Sequence, residues 1–115
     1  MWRDDQPIFR QLKDKIVNSI LTGVYAEGDA LPSIRNVASE FQINHLTVGK
    51  AYQELVDDGV IEKQRGLGMY VKGGARAALL ESEKQKFIEE EVPRLKKRLA
   101  ELGIGTEELL GELNK

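Results

Sequence analysis

The feature that most constrains this chain is a pair of short helical stripes set almost end to end. Ser33 is a good N-cap, and Ile34, Val37, Ala38 and Phe41 behind it recur at helical spacing. Asn44 is a second good N-cap, followed by Val48, Ala51, Tyr52 and Leu55, with Gly59 just past Asp58 as the stop. Only Gln42 and Ile43 separate the two. Helices joined by so short a turn cannot lie antiparallel, so they cross steeply as a helix-turn-helix. An earlier stripe of Ile8, Phe9, Leu12, Ile16, Val17, Ile20 and Leu21 predicts a first helix from Pro7 to Thr22, ended by Gly23. Val24–Ala30 reads as a connection with Glu27-Gly28-Asp29 as turn chemistry, and Leu31 suits a short strand.

Beyond Gly59 the period changes. Val60-Ile61-Glu62-Lys63 and Met69-Tyr70-Val71-Lys72 are β-prone runs around Gln64-Arg65-Gly66-Leu67-Gly68, a hairpin connection. A helix-turn-helix followed by a two-stranded hairpin is the winged-helix layout. Gly73-Gly74 reads as a flexible joint. Residues 75–102 return to helix with Leu79, Leu80, Phe87, Ile88, Val92, Leu95, Leu99 and Leu102, and from Ile88 the spacing is that of a short coiled-coil seam. Pro93 lies inside it and predicts a kink or break at Glu91–Val92. Gly103 ends that helix, Ile104 packs back on it, and Thr106-Glu107-Glu108 opens a last one with Leu109, Leu110 and Leu113. The expected fold is α+β, mainly α: a winged helix-turn-helix over 1–74, then a short α-helical dimerisation segment over 75–115.

Composition removes whole classes of function. The 115 residues include no cysteine and one histidine, which excludes disulfide scaffolds and thiol catalysis and argues against a zinc site. No apolar run approaches the ~18 residues that span a bilayer. Met1-Trp2-Arg3-Asp4-Asp5 has no apolar stretch behind it, so no signal peptide is expected and a cytoplasmic protein without a membrane partner is. Glu89-Glu90-Glu91 and the run Arg94, Lys96, Lys97, Arg98 read as solvated helix faces. No phosphate loop, nucleophile motif or metal spacing is present, so no enzyme, cofactor or metal is expected. The net charge is −2, and a DNA-binding role must therefore rest on a local patch.

Pro7-Ile8-Phe9, Gln11, Gly23, Gly28-Asp29, Leu31-Pro32-Ser33, Arg35, Ala38, Thr47-Val48, Lys50-Ala51-Tyr52, Leu55, Gly59, Ile61, Gly66, Gly68 and Tyr70-Val71 occur in a fixed order. Together they resemble the DNA-binding domain of the GntR family of bacterial transcription regulators, over about 65 residues. Leu-Pro-Ser-x-Arg and Thr-Val-x-Lys-Ala-Tyr are the specific elements. The short leucine-rich tail resembles the YtrA-like branch, in which two helices serve mainly to dimerise.

Arg35 falls in the first turn of the second helix, beside its positive dipole end, where a phosphate is favoured. The family's matching arginine contacts the DNA backbone; the alternative is a surface ion pair with Glu40 or Asp29. On the third helix the core stripe leaves Asn44, His45, Leu46, Thr47, Gly49, Lys50 and Gln53 outward or at the border, as candidates for base edges and phosphates in a major groove. Gly49 stands where many relatives carry a long polar side chain, so it either admits a close backbone approach to DNA or is drift. Leu46 either touches a thymine methyl or covers the wing. Arg65-Gly66 at the wing tip suits a narrow minor groove, and Gly66 equally suits a plain hairpin turn.

The resemblance implies a sequence-specific transcriptional regulator, a repressor, binding a pseudo-palindromic double-stranded operator as a homodimer. Phe87, Ile88, Val92, Leu95, Leu99, Leu102, Leu109, Leu110 and Leu113 are the candidate dimer seam. The competing reading is a winged helix used only as a protein-interaction module, favoured by the acidic pI of about 5.5 and opposed by Arg35, Lys50 and Arg65. Forty tail residues are few to enclose a pocket of ~300–1,000 Å³. An unknown small-molecule effector would have to bind between protomers or against the DNA-binding domain.

Overall fold

The structure, a computed structural model, describes residues 2–115. Helix α1 (Ile8–Leu21), α2 (Ile34–Phe41) and α3 (His45–Asp57) precede strands β1 (Ile61–Gln64) and β2 (Gly68–Val71); α4 (Ala75–Lys86), α5 (Val92–Leu102) and α6 (Thr106–Leu113) follow. The chain forms two compact units, one reaching Leu80 and one from Glu81 to Lys115.

In the first unit, Leu12, Ile16 and Ile20 of α1, Val37 and Ala38 of α2, and Val48, Ala51, Tyr52 and Leu55 of α3 are buried together with Leu31, Val60, Ile61, Val71 and Ala75. Both expected N-caps are made. Ser33 Oγ accepts from the Asn36 N–H at 3.1 Å, and Asn44 Oδ1 accepts from the Leu46 N–H at 2.7 Å. The turn between them depends on Gln42, a non-glycine residue at φ 55°, which lets the Ile43 N–H reach back to the Ala38 carbonyl. Tyr52 completes the crossing: its hydroxyl donates to the Pro32 carbonyl at 2.5 Å, fastening α3 to the chain entering α2. Lys13 of α1 bridges Glu54 at 3.2 Å and Asp58 at 2.7 Å.

The wing is antiparallel with Ile61 opposite Val71 and Gln64 opposite Gly68. The sheet has the two strands of the hairpin, and the short strand expected at Leu31 is an isolated bridge at its neighbour Ala30. Ala30 pairs with Tyr70 across the other edge of β2, and the Leu31 N–H donates to the Met69 carbonyl at 2.9 Å. The connection after α1 therefore holds the wing from behind.

Three features depart from expectation. Gly73-Gly74 is a held turn rather than a free joint: Glu27 accepts from the Gly74 N–H at 2.9 Å, Ala75 is buried, and the Arg76 guanidinium caps α1 at the Leu21 carbonyl, 3.1 Å away. Compactness accordingly runs past Gly74 into α4. Ahead of Pro93 the α-helical pattern is interrupted between Lys86 and Val92, and the chain stays helical through the interruption. Residues Phe87–Glu91 widen into a π turn, with the Val92 N–H donating to the Phe87 carbonyl five residues back. Proline lacks an N–H and crowds the carbonyl four residues before it, and a wider turn ahead of it relieves both. Finally, Gln11 is buried, and its amide binds Arg3 N–H, Arg3 O and Gln6 O at 2.7–2.8 Å, pinning the N-terminal segment.

In the second unit α5 ends with the Gly103 N–H on Ala100 O and the Ile104 N–H on Leu99 O, a Schellman turn with Ile104 half-buried as its apolar contact.

Burial pushes the Tyr52 hydroxyl up to about 12, with the neighbouring Tyr25 adding to it. For Lys13, burial alone would lower the pKa, but the hydrogen bonds and charges of Asp58 and Glu54 outweigh it and leave it raised. A raised folded pKa contributes stability present below the unfolded value and lost as pH climbs through the folded one. Stability should therefore fall from about pH 10 to about pH 12. Tyr52→Phe should cost about 1–2 kcal/mol at pH 7, because the Pro32 carbonyl loses its donor. It should also flatten that alkaline decline, as urea titrations across the pH series will show.

Candidate nucleic-acid interface

Burial fixes the rotation of α3. Val48, Ala51, Tyr52 and Leu55 are 0–1% exposed, so the opposite face of the helix meets solvent. His45, Leu46, Lys50 and Gln53 are exposed there, with Thr47 and Gly49 half-buried at the border. Leu46 is 82% exposed and so does not cover the wing. An apolar side chain held out beside capped backbone has the reach and chemistry for a thymine methyl.

The candidates are not equally available. The oxygen of Asn44 is engaged in its own cap. The Gln53 amide donates to Asp57 Oδ1 at 2.9 Å, one turn further along the helix, and must leave that carboxylate to meet a base. Lys50 lies with its ammonium 4.0 Å from the centre of the Phe9 ring. Phe9 on α1, which sequence spacing marked only as core, is half-buried with that cation on its face.

Arg35 is exposed in the first turn of α2. Among the described residues no carboxylate lies within 4 Å of its guanidinium, so the ion pair with Glu40 or Asp29 is not made. Asp29 instead accepts from the Ala26 N–H at 2.8 Å within its own turn. Arg35 thus keeps its full charge beside the N-terminal dipole of an eight-residue helix.

At the wing tip the Leu67 N–H donates to the Gln64 carbonyl at 2.9 Å, and Gly66 between them has φ 75°. That is the turn position that calls for glycine, so backbone geometry by itself explains Gly66. Arg65 beside it and Leu67 after it are exposed. Gly49 is different: it has ordinary helical backbone rather than a positive φ, and a Cβ built there would meet nothing within 4 Å. Nothing inside the molecule requires glycine in the middle of α3.

Among the described residues no group of three His, Cys, Asp or Glu side chains is placed to hold a metal ion, and no helix is long and apolar enough to cross a membrane. What the first unit offers outward is an α3 face of mixed polar and apolar side chains, with Arg35 exposed on α2 and Arg65 exposed at the wing tip.

Replacing Gly49 by alanine separates packing from recognition. Because the position is open and helical, Gly49→Ala should stabilise the fold by about 1 kcal/mol. If the bare backbone is what approaches DNA, the same variant should bind duplex more weakly. Thermal denaturation and duplex titration check the two halves, and a variant both more stable and equally tight would assign Gly49 to drift.

Residues 9–71 match the profile of the family described as bacterial regulatory proteins, gntR family. The HTH-type transcriptional repressor YtrA of Bacillus subtilis (strain 168) is 38% identical over 93 residues, which are 81% of this chain and 71% of that protein. A crystal structure of a transcriptional regulator from Oenococcus oeni matches with a TM-score of 0.82 at 30% identity, over 99% of this chain and 93% of that one. AraR(DBD), solved in complex with operator ORX1, matches with a TM-score of 0.55 at 26% identity, over 57% of this chain and 80% of that one. A helix-turn-helix with both caps in place, a wing, and a family match across most of the same residues lead to one assignment: the chain belongs to the GntR family of DNA-binding bacterial regulatory proteins.

Proposed function

We propose that the protein is a repressor that binds a pseudo-palindromic operator in the cytoplasm as a homodimer, with Arg35, Asn44, His45, Thr47, Gly49, Lys50, Gln53, Arg65 and Gly66 in the DNA interface. The observation that carries the reading is where apolar and cationic side chains are left open. In the second unit Phe87, Ile88, Leu95, Leu102, Leu110 and Leu113 are 42–70% exposed. Val92, Leu99 and Leu109 are half-buried beside them. That much apolar surface on so few residues calls for a partner, and a second copy presents the same stripe to a two-fold contact. Two copies address two half-sites and combine their binding energies. The relative named as a repressor supports the sign of regulation, and the relative solved with an operator supports duplex DNA as the partner.

The first unit has a crevice of about 150 Å³ lined by Leu12, Tyr25, Val37, Phe41 and Tyr52 and an open one of about 330 Å³ lined by Arg3, Gln11, Asp14, Lys15 and Asn18, so an effector would bind between protomers or against the DNA-binding domain.

Positioning and reading residues should separate in a salt series. Arg35→Ala should weaken binding about equally on operator and random duplex and reduce the salt slope by roughly 0.9 per contact, nearly 2 for a dimer. A change in sequence preference with an intact slope would contradict the backbone role. Assembly has its own check. The full chain should sediment as a dimer at micromolar concentration, and Leu95→Glu combined with Leu102→Glu should shift it to monomer. A wild-type chain that sediments as a monomer overturns the dimer.

A further inference from the structure

The α1–α3 junction carries its cations in two different states. Lys13 is taken up by carboxylates, with Glu54 and Asp58 both against its ammonium. Lys50 and Arg10 are exposed, and among the described residues no carboxylate lies within 4 Å of either. Both instead share one aromatic ring: Phe9 has the Lys50 ammonium 4.0 Å and the Arg10 guanidinium 6.0 Å from its centre. Phe9 is half-buried and packs on the core, which restricts its ring.

From this geometry we propose that Phe9 is a positioning residue that gathers Lys50 and Arg10 into a two-cation phosphate site on the duplex backbone. Neither Phe9 nor Arg10 belongs to the interface described above, and the proposal rests on that DNA-binding reading. A ring face attracts a cation without neutralising it, whereas a carboxylate neutralises it. An ammonium has three donors, and resting on a ring leaves donors on its far side for a phosphate oxygen. A free lysine surrenders substantial rotamer freedom on binding DNA; one already confined by a ring surrenders less. The arrangement also supplies what a chain of net charge −2 lacks, a local spot where positive charge is concentrated and uncompensated.

The test uses the full chain on a duplex taken from upstream of its own gene and on a random duplex of equal length, across a salt series. Wild type must first shift the upstream duplex at ~50 mM salt, and failure there sinks the DNA-binding reading itself. Given that shift, Arg10→Ala and Lys50→Ala should each reduce the salt slope by about 0.9 per protomer, on both duplexes alike. Phe9→Leu keeps the apolar volume and should weaken binding roughly two- to five-fold on both, with Phe9→Tyr restoring it. Combined with Lys50→Ala, it should add much less than its separate loss. In the free wild-type protein the ε-methylene protons of Lys50 should resonate upfield through the ring current, and Phe9→Leu should return them to the ordinary position. Unshifted ε-protons in wild type, an unchanged slope in Arg10→Ala, or a Phe9→Leu loss confined to one duplex would each overturn the proposal. The proton shift and the Arg10 slope decide it even if Phe9→Leu fails to fold.

Discussion

Everything this molecule presents to DNA depends on how α3 is rotated, and that rotation is set by burial of one stripe. Val48, Ala51, Tyr52 and Leu55 give up almost all their exposure to α1, α2 and β1. A helix has one rotational freedom about its axis, and four buried positions within two turns remove it. Apolar burial is non-directional, however, and would tolerate some sliding. The Tyr52 hydroxyl on the Pro32 carbonyl supplies the directional part, because its donor must meet one oxygen beside the N-terminus of α2. The same bond places Arg35, three residues on from Pro32, relative to the outward face of α3.

The wing is positioned by a different economy of contacts. β2 is hydrogen-bonded on both edges, to β1 and to the segment around Ala30, and Leu31 and Val71 are buried beneath it. An isolated two-stranded hairpin is marginally stable in water. Here the third pairing and the buried residues attach the hairpin to the helices, so that only Arg65, Gly66 and Leu67 extend beyond the paired register.

How much of this was legible in the sequence depended on whether the determinant was local. Ser33 and Asn44 announce their caps because capping chemistry lies within three residues, and the α3 stripe is a single period. Gln42 was not legible as a left-handed residue, since glutamine gives no sign of φ 55°; the need for it comes from closing α2 and opening α3 within two residues. Gly73-Gly74 looked free because the groups that hold it, Glu27 and the end of α1, are some fifty residues away in sequence. Pro93 was read through the rule that proline interrupts a helix, and the π turn is the less disruptive way to satisfy the same steric demand. At the interface, outward positions were legible from the stripe, but their engagement was not. That Gln53 holds Asp57 and Lys50 rests on Phe9 follows from side-chain placement.

The charge balance is the feature that most obscures the function, and its resolution is spatial. Counting residues gives Lys13 and Lys50 equal weight, and it equally weights Glu54, Asp58 and Glu27. In the folded unit those acidic groups, and Asp29 with them, have partners: Glu54 and Asp58 share Lys13, Glu27 accepts from the Gly74 N–H and Asp29 from the Ala26 N–H. Arg35 and Lys50 are left without acidic neighbours inside 4 Å among the described residues. At physiological salt the Debye length is about 8 Å, so a phosphate approaching closely feels the nearest charges far more than the net charge of the molecule. Lys13 between Glu54 and Asp58 therefore presents no positive field, and cations without an acidic neighbour do. Arg35 and Lys50 therefore give this weakly acidic chain a local positive character that its net charge hides.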